Sequence, residues 1–355
     1  MPPRLTAALA ALFSLLDIAP AEAVILYRTG DVTANTTAPG LSFPHRGWDY
    51  EGIWGGNLGT IAPHFFISAV HIGQAGGSSF TLQNVNYTVL RGFYDPASDL
   101  VVWHIKETFP TFAPLYPRQD EVGQTLVDVG RGTDRGTDYF LNNTLLGWLW
   151  GGGGTQRWGE NVVESIYSNG PNDDLLRATF DQNGLNDECT LSSGDSGGAA
   201  FINDSGVWKL AGINYGVDGP YSEGANGANA FTPALFDTRG LYAQDGSQWV
   251  LVSGSATVPT AFYPTRISTK LAWIASVVAA PVGGHEGNYA TLTYTQFLGV
   301  PLTYSIEQST DLHNWTTAST IDQTLSTNGT TSVVKSKVDM IGISPLFLRV
   351  RATQQ

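Results

Sequence analysis

The chain has 355 residues, a formal charge of −13, 41 glycines, 10 tryptophans and only 14% charged residues. That length supports one large domain and a smaller one, with cores that need neither disulfide nor metal. The acidity excludes a nucleic-acid footprint, which requires clustered Lys and Arg. The many glycines and aromatics, without long helical patterns, predict an all-β protein with tight turns.

Residues 1–23 read as an export signal: Arg4, the apolar run Leu5 to Leu16, and the small-x-small sequence Ala21-Glu22-Ala23. The run falls well short of the ~20 apolar residues that span a bilayer, and Asp17 follows it. The expectation is a secreted, periplasmic or cell-surface protein with no membrane span in the mature chain. Cys189 is the single cysteine, so no internal disulfide forms.

From Val24 to about Val278, short apolar runs alternate with Gly, Asn, Asp and Pro, as in Ala62 to Val70, Leu100 to Ile105 and Val207 to Tyr215. This is the pattern of a barrel or sandwich. Two glycine-rich stretches, Gly147 to Glu160 with its tryptophans and Gly216 to Asn229, read as loops. Ser268 reads as the N-cap of one amphipathic helix carrying Leu271, Ile274 and Val278, which Pro281 stops. Pro281 to Gly284 reads as a linker. The alternation in Leu302 to Glu307 and Leu346 to Arg351 then predicts a separate small β-module over 285–355. The expected organisation is 1–23 signal, 24–280 main domain and 285–355 module.

The run Gly194-Asp195-Ser196-Gly197-Gly198 carries the chemistry. Glycines beside a serine let the backbone turn sharply and expose the hydroxyl, with the Gly194 and Ser196 N–H groups aimed at one spot as an oxyanion hole. A plain β-turn has the same composition. His71, at the end of the apolar run from Ile61, is the candidate base, where His45, His64, His104, His285 and His313 lack such a setting. Asp99 precedes the apolar run Leu100 to Trp103 and needs a donor partner, which an imidazole N–H supplies; Asp95 is its rival.

The order His71, Asp99, Ser196 resembles that of the chymotrypsin-like serine proteases. Ser68-Ala69-Val70-His71 and Asp99-Leu100-Val101-Val102 are similar to that family's segments around its histidine and aspartate. Ala211 to Gly216 resembles its substrate-pairing strand, and Phe262 to Ile274 its closing segment. The resemblance spans about residues 50 to 278. It implies a double β-barrel with a C-terminal helix, here followed by a small β-sandwich module, and endopeptidase activity through a His-Asp-Ser triad.

On this likeness Thr190 is expected at the floor of the specificity pocket, with Asn214, Tyr215 and Gly216 binding substrate backbone. Uncharged Thr190 implies cleavage after uncharged residues. Asn214 replaces a serine and is expected to donate to Asp99, while Ile72 and Ser192 stand where the family carries cysteines. Val24, exposed by signal cleavage, is expected to pair with Asp195 in activation. Protein or peptide substrates are implied and no cofactor. The C-terminal module adds surface attachment or substrate contact. A catalytically inactive binding homologue is the alternative function. An esterase is disfavoured, because its histidine would come last and a βα alternation would surround the serine.

Overall fold

The computed structural model describes residues 24–40, 45–54, 57–342 and 345–355; the expected export signal at 1–23 lies outside them. After β1 (Ile25–Leu26), six strands close into a barrel: β2 (Glu51–Ile53), β3 (Asn57–Ala62), β4 (Phe65–Ala69), β5 (Ser79–Leu82), β6 (Val85–Tyr94) and β7 (Leu100–Ile105), in the order β2-β3-β4-β7-β6-β5. Every residue of β4 is buried, because both faces of this wall are covered. Phe66, Val101 and Trp103 point into the barrel with Trp54, Phe80 and Tyr87. Phe65, Ile67, Leu100 and Val102 point outward into a second core shared with Val127, Val129, Leu210 and Ile213. Strands covered on both sides read as continuous apolar runs, which is how these two looked in the sequence. Gln83 and Asn84, both at positive φ (48° and 63°), make the two-residue β5–β6 turn that matches strand twist.

The second half comprises β8 (Thr125–Gly130), β9 (Thr133–Leu141), β10 (Thr144–Gly153), β11 (Arg157–Val162), β12 (Ser165–Ser168), β13 (Asp174–Thr179), β14 (Cys189–Thr190), β15 (Ala199–Asp204) and β16 (Val207–Val217). Short strands β17 (Tyr221–Ser222), β18 (Ala234–Leu235), β19 (Tyr242–Asp245) and β20 (Gln248–Leu251) precede β21 (Ala261–Arg266). The main sheet runs β11-β8-β15-β16-β21-β13-β12. It curls so that β11 returns to β13, where Asn161 Nδ2 donates to the Thr179 carbonyl at 2.8 Å, and Glu164, between β11 and β12, donates its N–H to the Arg177 carbonyl at 2.8 Å. The protein is therefore all-β and built on two curved walls that share one apolar seam.

The tryptophan-rich stretch read as a loop is instead β10, its turn and β11. Register shifts at Leu145/Gly147, Trp148/Trp150 and Trp150/Gly153 break its alternation and hide the strand. Its glycines are there for contact: a Cβ on Gly147 would lie 2.2 Å from the Ala234 carbonyl oxygen. The Gly216–Asn229 stretch is largely loop after β16 ends, apart from short β17.

Helix α1 (Leu271–Val278) buries Leu271, Ile274, Ala275 and Val278. Its N-cap is Lys270, not Ser268, whose hydroxyl donates to buried Glu121 at 2.5 Å. Among the described residues no helix is long and apolar enough to cross a membrane. The expected linker is also a strand, β22 (Val282–Glu286), in which Gly283 and Gly284 sit opposite Leu292 and Thr291. It joins β23 (Tyr289–Phe297), β26 (Ile321–Asn328) and β27 (Thr331–Asp339), while β24 (Leu302–Ser309), β25 (Thr316–Thr317) and β28 (Phe347–Gln354) form another sheet. Residues from Val282 on share no sheet with those before them. They pack on α1, Phe297 joins the central core, and Gln354 Nε2 donates to the Ser268 carbonyl at 2.7 Å.

Candidate active site

His71 follows β4 in a short 3-10 turn, Val70–Ile72, and Asp99 ends the loop that enters β7. The two are adjacent because β4 and β7 pair as Ala69↔Leu100, and Val70 N–H donates to the Asp99 carbonyl at 2.7 Å. Asp99 Oδ2 lies 2.5 Å from His71 Nδ1, and Oδ1 accepts from the His71 backbone N–H at 3.1 Å. A carboxylate can only accept, so Nδ1 carries the ring proton and Nε2 is left as an acceptor. The Ser196 hydroxyl donates to it at 2.6 Å. The three residues predicted from the sequence thus form one continuous hydrogen-bonded chain across the two walls.

Ser196 sits in the tight turn before β15. Gly194 is at φ 97° and Gly197 at φ 78°, conformations a side chain resists, and a Cβ on Gly197 would lie 2.4 Å from the Asn57 carbonyl oxygen. Asn57 of the first barrel pins this turn: its N–H donates to the Ser196 carbonyl at 3.1 Å and its Nδ2 to that of Gly194 at 2.9 Å. Among the described residues the N–H groups of Gly194 and Ser196 donate to nothing, which leaves both open to a ligand oxygen.

A pocket of about 170 Å3 opens beside Ser196, with Trp150, Leu191, Asn214, Tyr215, Gly216 and Val217 among its walls. Thr190 is not in that lining. It is buried in the ladder between β1 and β14, opposite Ile25, while Leu191, Ser192 and Ser193, which follow it, are in the lining. Asp195 is the one charged residue of the lining. Its Oδ1 accepts from Gly132 N–H at 2.7 Å, and its Oδ2 from Ser192 N–H at 2.8 Å and the Ser192 hydroxyl at 3.1 Å. Burial pushes this carboxyl up to about 6 against those hydrogen bonds and one from the Val24 backbone.

The Val24 backbone N–H therefore reaches the Asp195 carboxyl. Asn214 is not beside Asp99 as expected: its Nδ2 donates to Asp128 Oδ1 at 2.8 Å, deep in the second wall. Tyr215 lies edge-on to His71 with ring centroids 6.0 Å apart. Asp95, the rival carboxylate, pairs with buried Lys270 at 2.6 Å and with the Ser98 hydroxyl. Cys189 is buried and free, and burial raises its thiol well above the ordinary value.

Two contributors escaped the sequence reading, Asn57 and Arg157. The Arg157 guanidinium is buried and donates to the backbone carbonyls of Val24 (3.2 Å), Val32 (2.8 Å) and Ala34 (3.0 Å), tying down the segment that carries Val24. Neither lies in a local motif, so only the tertiary fold identifies them.

No family model and no curated protein matches this chain. Among solved structures, it is similar to the Rv3671c protease in its inactive form, at 14% identity and a TM-score of 0.32 over 45% of this chain and 72% of that one. A serine-to-alanine mutant of Rv3671c from M. tuberculosis, also inactive, gives 13% and 0.36 over 64% and 84%. The active form from the same organism gives 15% and 0.32 over 45% and 62%. Superpositions this loose transfer no residue role, so the roles assigned to this chain rest on its own geometry.

Proposed function

We propose that the protein is a secreted serine endopeptidase that cleaves peptide bonds through an acyl-enzyme. The observation that carries this reading is the unbroken contact Asp99–His71–Ser196 beside two N–H groups with no partner among the described residues. Ser196 Oγ attacks the scissile carbonyl carbon and its proton passes to His71 Nε2. Asp99 holds the ring and stabilises the imidazolium. The Gly194 and Ser196 N–H groups receive the oxyanion, a contribution of about 2.7–4 kcal/mol per donor. His71 then protonates the leaving amine, and water repeats the sequence on the ester.

The pocket supports cleavage after uncharged side chains, because its one carboxylate, Asp195, already has both oxygens engaged. Val24 is assigned as the mature N-terminus. It is fully buried beside Asp195 and sits at φ 52°, a conformation a β-branched residue avoids and a cut before it would release. Its new ammonium would pair with the Asp195 carboxylate. Residues 285–355 are assigned to surface attachment or substrate contact; a chain lacking them, compared for peptidase activity and cell-surface retention, separates those roles. The reading as a whole is tested with a serine-directed phosphonate. Labelling that Ser196→Ala abolishes supports it, and folded protein that never labels refutes it.

A further inference from the structure

Beneath the nucleophile turn lies a pair of side chains that the relay does not use. Asp128 of β8 is fully buried and Asn214 of β16 is 1% exposed, and one hydrogen bond joins them, from Asn214 Nδ2 to Asp128 Oδ1. The other two oxygens of the pair, Asp128 Oδ2 and Asn214 Oδ1, are sealed from solvent, and neither has a donor among the described residues. Two orphaned acceptors on the two members of one pair are costly to bury.

A single proton satisfies both. Placed on Asp128 Oδ2, it would make that oxygen a donor for the Asn214 Oδ1 acceptor, alongside the amide's own bond to Asp128 Oδ1. The titratable groups whose charges act across this space are Asp195 on the nucleophile turn, Glu51 on β2 and the Cys189 thiol on β14. None of them brings a positive charge; Arg131 acts on Glu51. Burial drives the Asp128 carboxyl well above the ordinary range against the Asn214 hydrogen bond, and negative Asp195 adds to the rise.

Asn214 matters because its main chain holds the turn. Its N–H donates to the Gly198 carbonyl at 2.8 Å and its carbonyl accepts from Gly197 N–H at 3.0 Å. Gly198 is already pressed against β8, where a Cβ would lie 2.4 Å from the Val129 carbonyl oxygen. We propose that Asp128, as an un-ionised acid, is a positioning residue that locks Asn214 at two points and so fixes the Gly197-Gly198 backbone that aims Ser196. This inference rests on the endopeptidase reading for its kinetic readout alone.

The sign of its pH dependence is opposite to that of a salt-bridged carboxylate. A carboxyl protonated in the fold binds its proton more tightly there than in the unfolded chain, where its value is ~3.9. Stability is therefore full below that value and declines as pH rises toward the folded one. Asn at 128 keeps both hydrogen bonds as an amide–amide pair and has nothing to ionise.

The test measures Asp128→Asn and Asp128→Leu between pH 5 and 9. For Asp128→Asn the expected kcat at neutral pH is within about threefold of the parent, with an alkaline limb moved to higher pH. Asp128→Leu is expected to lose roughly ten- to a hundredfold in kcat, the scale of a misplaced reacting group. Melting temperatures, taken in the Ser196→Ala background, should rise for Asp128→Asn relative to Asp128, increasingly so with pH. If Asp128→Asn instead loses melting temperature at every pH, Asp128 acts as a carboxylate and the proposal falls. A folded Asp128→Asn with kcat reduced as far as in Asp128→Leu overturns the positioning role. A parent enzyme that never labels, with the melting trend intact, refutes the endopeptidase reading and leaves the acid–amide pair standing.

Discussion

The two walls hold their halves of the site by different physics. The first barrel, which presents His71 and Asp99, is filled with interlocking aromatics: Trp54 meets Trp103 at 4.6 Å and Phe66 at 5.4 Å between centroids. The second, which presents Ser196, buries Asp128, Asp195, and Glu121 with Arg266 at 2.6 Å, where the first barrel buries Glu51 and Asp95. Packing fixes the reach of the His71 imidazole, and a polar frame fixes the turn that carries Ser196. Burial raises the Asp128 and Asp195 carboxyls, so the serine half should respond to pH through both.

The widest break in this comparison is at the relay itself. Ser196→Ala should lower peptidase kcat by roughly a million-fold with an unchanged melting temperature, and His71→Ala by a similar factor, since relay members fail as a unit. Next come two stability losses that set the halves side by side. Glu121→Ala leaves the buried Arg266 charge without its bidentate partner and should cost about 3–5 kcal/mol by denaturant unfolding. Phe66→Ala in the aromatic barrel should cost a similar ~3–5 kcal/mol through its cavity. The two losses arise by different means, an unpaired buried charge in one half and an apolar cavity in the other.

A finer test concerns Asp195, held at about 6 when Val24 offers only a backbone N–H. A folded-state value above the unfolded one means that stability falls as pH rises from about 4 to about 6, by roughly 2–3 kcal/mol. Protein kept uncut before Val24 should show that decline. Protein starting at Val24, with an ammonium beside Asp195, should show it reduced or reversed, as read from denaturant midpoints in that window. The smallest effect is expected at Cys189: Cys189→Ala removes a buried, un-ionised thiol, costs about 1 kcal/mol and leaves kcat unchanged.

Much of this site was legible in the sequence because its parts are local. A serine between glycines, a histidine ending a strand and an aspartate opening one are short motifs, and apolar runs covered on both faces marked β4 and β7. What escaped depended on distant partners. Asn214 was placed beside Asp99 because nothing in its segment points to Asp128, 86 residues away. Thr190 fell behind the pocket because its side chain follows the pairing of β14 with β1, which only the fold reveals. The linker at Pro281 to Gly284 and the loop from Gly147 both proved to be strands, because glycines at edges and bulges look like turns until a partner strand is known.

The Arg157 clamp has an evolutionary consequence. Its guanidinium holds the segment after Val24 through main-chain carbonyls at Val24, Val32 and Ala34, an address common to any sequence. Side chains between those anchors can vary without touching these three bonds, while the arginine cannot, since each of its three nitrogens reaches a different carbonyl, a spread that one ammonium nitrogen does not match. Variation among descendants of this chain should therefore gather in the tether and spare the residue that holds it.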